Sequence, residues 1–424
     1  MLYDLSRAAL GLAGLLAVAF LFSENRRAID WRLVLGGLAL QLALALLFLA
    51  VPGADRVFDG LAKFFVWITD FSAEGAKFVF GPLADFGAVE KSFGAGQGFV
   101  FAFQVLPTIV FFSALCSVLY YLGVLQKVVF AFAWVAKKFM RLSGAESLAA
   151  AAEIFLGQTE SPLMIKPYLP RLTRSELFAL MTGGMATIAG GVLVSYIAIL
   201  GGGDTAAREA YAKFLLCASF MAAPASLVVA KILIPQTQPV DESLHVPREK
   251  LGANFFDALA NGTTEGLKLA ANVGAMLIAF IAFAALANAA LAALHPALSL
   301  DQIFGWIFAP LAWLIGVEGV DARAVGQLLG KKVVFNEFVA YIDLGALKEA
   351  GALSPKAIYL ATFALCGFAN IGSIGIQLGG TGGMAPSQRP HIAALGFKAV
   401  LGGTLATLMT ASLAGAFWHW ATLP

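Results

Sequence analysis

The sequence predicts an all-α polytopic membrane protein with eight transmembrane helices plus two oppositely oriented re-entrant hairpins, arranged as inverted repeats. Three observations predict it. The 424 residues are 60% hydrophobic and only 13% charged, with a mean hydropathy of +0.83, whereas soluble domains carry about 25% charged residues. The apolar residues fall into runs long enough to span a bilayer, which takes about 20 residues of helix. Finally, Gly157-Gln158-Thr159-Glu160-Ser161-Pro162 and Asn336-Glu337-Phe338 each set a carboxylate beside an amide inside the apolar part. Each is followed by a Gly-rich break, at Ala186 to Gly191 and at Ala369 to Ser373. A carboxylate in hydrocarbon is costly, so such residues mark a substrate or ion path. Their two-fold recurrence fits a carrier built from two related halves.

Taken in order, the first span runs from Ala8 to Phe22 and ends at Arg26, Arg27 and Arg32, which marks that side as cytoplasmic. No cleavable leader is expected, because the first run lacks a basic start and a small-residue cleavage site. The second span, Leu33 to Val51, closes at Pro52-Gly53-Ala54-Asp55. Residues 57–90 interleave Phe64, Phe65, Trp67, Phe71, Phe78 and Phe80 with charges, the pattern of a helix lying along the interface. The third span, Phe99 to Leu125, is followed by cytoplasmic Lys127, Lys137, Lys138 and Arg141.

Glu146 to Pro170 is apolar, breaks at 157–162, and is apolar again to Tyr168. Each arm is too short to span, and basic residues flank both ends. That fits a re-entrant hairpin, tolerated where its backbone is buried in protein. Leu177 to Leu200 crosses outward, interrupted at Thr187 to Gly191, and Gly201-Gly202-Gly203-Asp204 turns the chain. Phe214 to Ile234 crosses back, and residues 235–250 form a polar linker ending in Arg248-Glu249-Lys250. Gly266 to Leu294 crosses outward. Ile303 to Gly316 and Val325 to Ile342 are expected to form the second hairpin, with Asn336-Glu337 in its second arm and Lys331 and Lys332 reaching water at its outer base. Ala357 to Leu378, broken at Phe368 to Ser373, then Gly379 to Gly383 and Ile392 to Trp418 complete the chain. Trp418 and Trp420 are interfacial anchors.

Several function classes are excluded. A net charge of +2 without a basic aromatic patch gives no nucleic-acid partner. Cys116, Cys217 and Cys366 sit in apolar runs, odd in number and without CxxC spacing, so no disulfide frame or zinc site is expected. His245, His295, His391 and His419 lack metal-ligand spacing and read as loop or interfacial residues. No His-Glu-x-x-His, paired Asp or Gly-x-Ser-x-Gly site lies in a span, so no enzyme activity or cofactor is expected.

At the centre, Gln158 donates and accepts, Thr159 offers a hydroxyl, and Glu160 accepts when ionised. Such a set suits a ligand edge of mixed donors and acceptors, such as a nucleobase. Glu337, Asn370 and Ser373 form a second set, and a carboxylate with an amide suits vicinal hydroxyls on a ribose or other sugar. Val192 and Phe368 offer an apolar wall and a stacking face. A lone Gln or Thr in a membrane helix is often interhelical glue. The repetition of hairpin, Glu and break favours a functional reading. A carrier of another small polar solute with the same plan stays open, although a dicarboxylate carrier should place Arg near the tips, and none is there.

GQTESPLMIKPYL, TIAGGVL, GLKLAANVGAML, KKVVFNEFVAY and ALCGFANIGSIGIQLGG, all between about 147 and 403, resemble the signature segments of the concentrative nucleoside transporter family in its short bacterial form. The resemblance implies a cation-coupled nucleoside importer of the inner membrane, acting as an elevator in a homotrimer. It implies that Gly157, Gln158, Thr159 and Glu160 read the base with Val192 and Phe368, while Glu337, Asn370 and Ser373 hold the ribose; Leu267 is a further base contact. It also implies scaffold elements at 1–125 and 251–300 and two transport halves at 126–250 and 301–424. In sodium-coupled members the ion lies between the first hairpin and the following break. Mapped here, its ligands are the side chain at 153 and positions Leu156, Thr187 and Ile188. The family's sodium-coupled pattern has Asn at the first of these, where this chain has Glu153. A buried carboxylate needs a cation or a proton, so sodium coupling, proton coupling and a disabled site all follow as readings. Gly372, where the family often has Ser, is a milder departure.

Overall fold

A computed structural model describes residues 2–51, 54–94, 98–140, 142–241 and 252–420. Pro52-Gly53, Arg141, His245 and Arg248-Glu249-Lys250 lie outside the described residues. Among the described residues every regular element is helical, and seven helical segments are long and apolar enough to cross a membrane.

Helices α1 (Leu2–Leu21) and α2 (Trp31–Leu49) come first. The Asp30 side chain caps α2 by accepting from the Arg32 and Leu33 amides. The amphipathic stretch is α3 (Ala54–Phe80), which leaves Phe64, Trp67, Phe71 and Phe78 exposed while burying Ala62 and Val66. After α4 (Phe86–Phe93), the third span is α5 (Phe101–Gln104) and α6 (Leu106–Tyr121). The basic flank that follows is itself a helix, α7 (Val124–Met140), packed on α8 (Gly144–Glu160). Ser143 and Glu146 form a reciprocal capping box that starts α8, two orphan helix donors being satisfied at once.

The chain returns from α8 through short 3-10 turns at Ser161–Ile165 and Leu169–Arg171. It then forms a broken pair, α9 (Arg174–Ala186) and α10 (Gly190–Gly201), and a long buried helix, α11 (Thr205–Leu233). Helix α12 (Phe255–Leu294) packs mainly on α6 and exposes Leu267, Ile278, Ile281, Phe283 and Leu286. Next come α13 (Leu300–Leu314), α14 (Asp321–Val334) and α15 (Glu337–Glu349). A second broken pair, α16 (Pro355–Leu365) and α17 (Ile371–Gly379), leads through α18 (Thr381–Met384) to α19 (Arg389–Gly415). His391 accordingly sits in the first turn of a helix, not in a loop.

The order long helix, paired helix, arm, tip, broken pair, long helix occurs twice, from α6 to α11 and from α12 to α19. That repetition corrects the second hairpin. Helices α13 and α14 do pack together, but Val325 to Ile342 is not one arm. It breaks at Phe335, where Asn336 caps α15 through its Oδ1 and the Val339 amide at 3.0 Å. The acidic stretch therefore sits at a tip, as in the first repeat.

Ion pairs fasten the chain at both ends of α1. Glu24 accepts from Arg174 and Lys398, both at 2.9 Å. On the opposite side Asp4 meets Lys356 and His419, both at 2.8 Å. Helices α1 and α2 pack on α19 and α11.

Candidate functional site

Both tips converge on the two helix breaks. Gly157 has φ +73° and ψ −178°, a backbone that residues with a side chain rarely adopt. A Cβ there would stand 2.8 Å from Ala189 Cβ. This turn re-aims the residues after it. Gln158 points inward and is buried. Its Nε2 donates to Ser373 Oγ at 3.0 Å, and its Oε1 accepts from Gln377 Nε2 at 3.2 Å. Gln377 Nε2 also donates to the Met181 carbonyl at 2.9 Å.

Thr159 and Glu160 face the other way. They line a cavity of about 440 Å³ with Leu156, Ser113, Asn261 and Glu265. Helices α6 and α12 form its far wall, on the cytoplasmic side of the orientation given above. Val192 is buried and borders a smaller cavity with Phe112 and Glu160.

At the second tip, Glu337 occupies the first turn of α15, where the helix dipole favours an anion. It is 3% exposed. Oε1 accepts from Tyr196 Oη at 2.9 Å and Oε2 from Asn370 Nδ2 at 3.1 Å. Asn370 caps α17, its Oδ1 accepting from the Ser373 amide at 2.8 Å. A continuous polar line thus runs from Tyr196 through Glu337, Asn370, Ser373 and Gln158 to Gln377. Ser373 joins the two sets, its amide donating to Asn370 and its hydroxyl accepting from Gln158. Phe368 is half-buried in the second break, and its amide donates to the Thr187 carbonyl at 3.3 Å. That bond ties the two breaks together.

Behind this line lies Glu153, 1% exposed. Its Oε1 accepts from Ser161 Oγ at 3.4 Å, and the Gly184 amide is a further donor. Its Oε2 lies 1.9 Å from where a Cβ on residue 183 would stand, so only glycine leaves it room. No Lys, Arg or His pairs with Glu153 among the described residues. Thr187 Oγ1 donates to the Gly183 carbonyl at 2.9 Å, so Glu153 and Thr187 meet around Gly183. Leu156 and Ile188 are buried beside the tip and the first break respectively.

Leu267 is 61% exposed on α12, and Leu269, two residues on, lines the cavity. Tyr196 and Gln377 belong to the site and were not singled out from sequence. Both carry a signal: Tyr196 lies four residues after Val192 and Gln377 four after Ser373, spacings that put each pair on one helix face. Tyr196 is further fixed by stacking on Tyr341, with ring centroids 4.2 Å apart.

Known proteins resemble the chain along its whole length. Residues 10–83 match a model described as the Na+ dependent nucleoside transporter N-terminus, and residues 214–415 the corresponding C-terminus. Residues 102–203 match a model described as nucleoside recognition. An uncharacterized transporter of Haemophilus influenzae is 45% identical, with 96% of each chain covered. The nucleoside permease NupC of Helicobacter pylori is 39% identical over 98% of this chain and 99% of its own. The structure of CNTnw in an inward-facing substrate-bound state superposes with a TM-score of 0.93 at 41% identity, covering 99% of both chains.

Proposed function

The chain belongs to the Na+ dependent nucleoside transporter family, and from that premise we propose how its own residues bind a nucleoside and couple its import to a cation. The protein is a multi-pass inner-membrane carrier that imports nucleosides by an elevator-type, cation-coupled cycle. Its known relatives are carriers rather than enzymes, and no covalent step enters the reading.

The single observation that carries the binding assignment is the polar line joining both repeats. Glu337, with Asn370, takes the ribose hydroxyls. Gln158 reads the base edge from the first tip, Gly157 setting its direction, and Ser373 links the two groups. Thr159 and Glu160 complete the base side from the cytoplasmic cavity, with Val192 and Phe368 as apolar walls. Calorimetry with uridine and 2′,3′-dideoxyuridine tests this. Losing two hydroxyls that meet a charged acceptor should weaken binding by about 100-fold. Equal affinities would overturn the ribose role.

For the coupling cation, we favour a proton carried by Glu153. The carboxyl fills the space beside Gly183, and the Thr187 hydroxyl and carbonyl already engage Gly183 and Phe368. An unpaired buried carboxylate is costly, and a proton removes that cost. The family's description favours sodium as the second reading, held by Glu153, Leu156, Thr187 and Ile188. Either cation couples through the first tip, because it stabilises the same α8–α9 contact that aims Gln158. Such reciprocal couplings are worth about 1–3 kcal/mol.

For the moving parts, we assign α6 and α12 to the static scaffold. The packing of α1 and α2 on α19 and α11 argues that these two travel with the transport halves, rather than with a scaffold comprising all of 1–125. The exposed apolar face of α12 supports a homotrimer built around it.

A further inference from the structure

One buried basic group has no part in the site above. Lys332, on α14, is 1% exposed. Its Nζ donates to the Ala364 carbonyl at 2.8 Å and to Thr407 Oγ1 at 2.9 Å. This corrects the expectation that Lys331 and Lys332 both reach water. Lys331 pairs with Asp301 at 2.9 Å and with Asp343. Successive residues on a helix point about 100° apart, so one of the two turns outward and the other enters the core.

A basic side chain deep in a membrane-embedded core is costly, and such groups are retained for function. A Leu or Met would fill the same room. Position supplies a reason for the amine. Lys332 stands four residues before Asn336 at the second tip, and Glu153 stands four before Gly157 at the first. Each side chain crosses from its hairpin arm to the C-terminal end of the first half of the following broken helix. Glu153 meets Gly183 and Gly184 near the end of α9, and Lys332 meets Ala364 near the end of α16. The last carbonyls of a helix lack intrahelical donors and carry its negative pole. In the first repeat an acidic residue at that pole requires a mobile cation. In the second the chain brings its own.

We propose that Lys332 is a tethered counterpart of the coupling cation, locking the second tip to α16 and α19 so that Glu337 and Asn370 stay aligned whether or not the first repeat is loaded. Only the first half of the site is then remade in each transport cycle. Lys332 is a positioning residue, acting through the end of α16 six residues before Asn370. The inference rests on the carrier reading above.

The test is uridine calorimetry on the purified full chain with Lys332→Met and Lys332→Ala. Met keeps the packing and removes the donor. Both variants should bind uridine about tenfold more weakly or worse, as expected when hydrogen bonds from a charged donor are lost. Added ethylammonium should restore Lys332→Ala, whose side chain leaves room for it, and should do nothing for Lys332→Met. A thermal melt of each variant separates this from a purely structural lysine, whose loss would lower the melting temperature without weakening uridine binding by the protein that remains folded. Wild-type affinity in Lys332→Met, or weakened binding in Lys332→Ala that ethylammonium leaves unchanged, overturns the proposal. If neither variant folds, Thr407→Val removes one partner of Nζ; about threefold weaker binding is then expected, and unchanged affinity counts against the idea. Absence of uridine binding by the wild-type chain would instead mark failure of the carrier reading, and this proposal would fall with it.

Discussion

Replacing Glu337 by Gln isolates the charge at the second tip with almost no change of shape. In the structure the carboxylate accepts from Tyr196 at 2.9 Å and from Asn370 at 3.1 Å while nearly sealed from water. The amide keeps one acceptor, which can serve Tyr196. Its NH2 then faces the NH2 of Asn370, so one bond becomes a donor–donor contact. Hydrogen bonds to charged groups are worth about 1.5–3 kcal/mol each. A nucleoside whose two ribose hydroxyls share this carboxylate should lose about 3 kcal/mol, more than 100-fold in affinity. Calorimetry with uridine reads that loss directly, and a thermal melt of the same sample confirms folding. A folded variant binding within about threefold of wild type would refute the reasoning, because two desolvated charged hydrogen bonds do not vanish at so small a cost.

Other expectations follow from the same geometry. Phe368→Ala should fold and bind uridine about tenfold more weakly, as removal of one aromatic face from a base typically does; unchanged affinity would remove Phe368 from the base site. Gly183→Ala would force Glu153 away, since a Cβ there stands 1.9 Å from Oε2. Overpacking of this kind costs about 1–3 kcal/mol, so gradient-driven accumulation should fall about tenfold or more while uridine exchange persists; full accumulation would dissociate Glu153 from coupling. Burial opposes ionisation of Glu24, but hydrogen bonds from Arg174 and Lys398 hold its carboxyl below the ordinary 4.5. Its folded value is depressed, so its contribution to stability is present above 4.5 and is lost as pH falls through the lowered value. Glu24→Gln should therefore flatten the acid limb of thermal stability, and an unchanged limb would mean that the clasp is inert.

Much of the architecture was legible because membrane physics leaves few choices. Apolar length gave the spans. The first hairpin and both breaks were marked by polar or Gly-rich segments inside apolar runs, and Gly157 acts as the tip that its place in Gly157-Gln158-Thr159-Glu160 suggests. Hydropathy runs the second hairpin's arm through its tip because Val333-Val334-Phe335 and Phe338-Val339-Ala340 are apolar on both sides of the break. Neither Gly nor Pro marks the interruption; it comes from Asn336 capping the next helix, a feature a hydropathy reading passes over. A local reading sends Lys332 to water because its partners, Ala364 and Thr407, are 32 and 75 residues away. Nothing local announces them. The same distance hid the linking role of Ser373, whose bond to Gln158 spans 215 residues and joins the two repeats.

Radiolabelled uridine uptake into proteoliposomes, under an inward proton gradient or an inward sodium gradient applied separately, tests the central claim most directly. The account predicts accumulation driven by the proton gradient and abolished by Glu153→Gln, with uridine exchange surviving the substitution. Accumulation driven by sodium alone would contradict the proton reading and return Glu153 to an ion ligand. No uridine movement under either gradient would contradict the assignment of a nucleoside carrier itself.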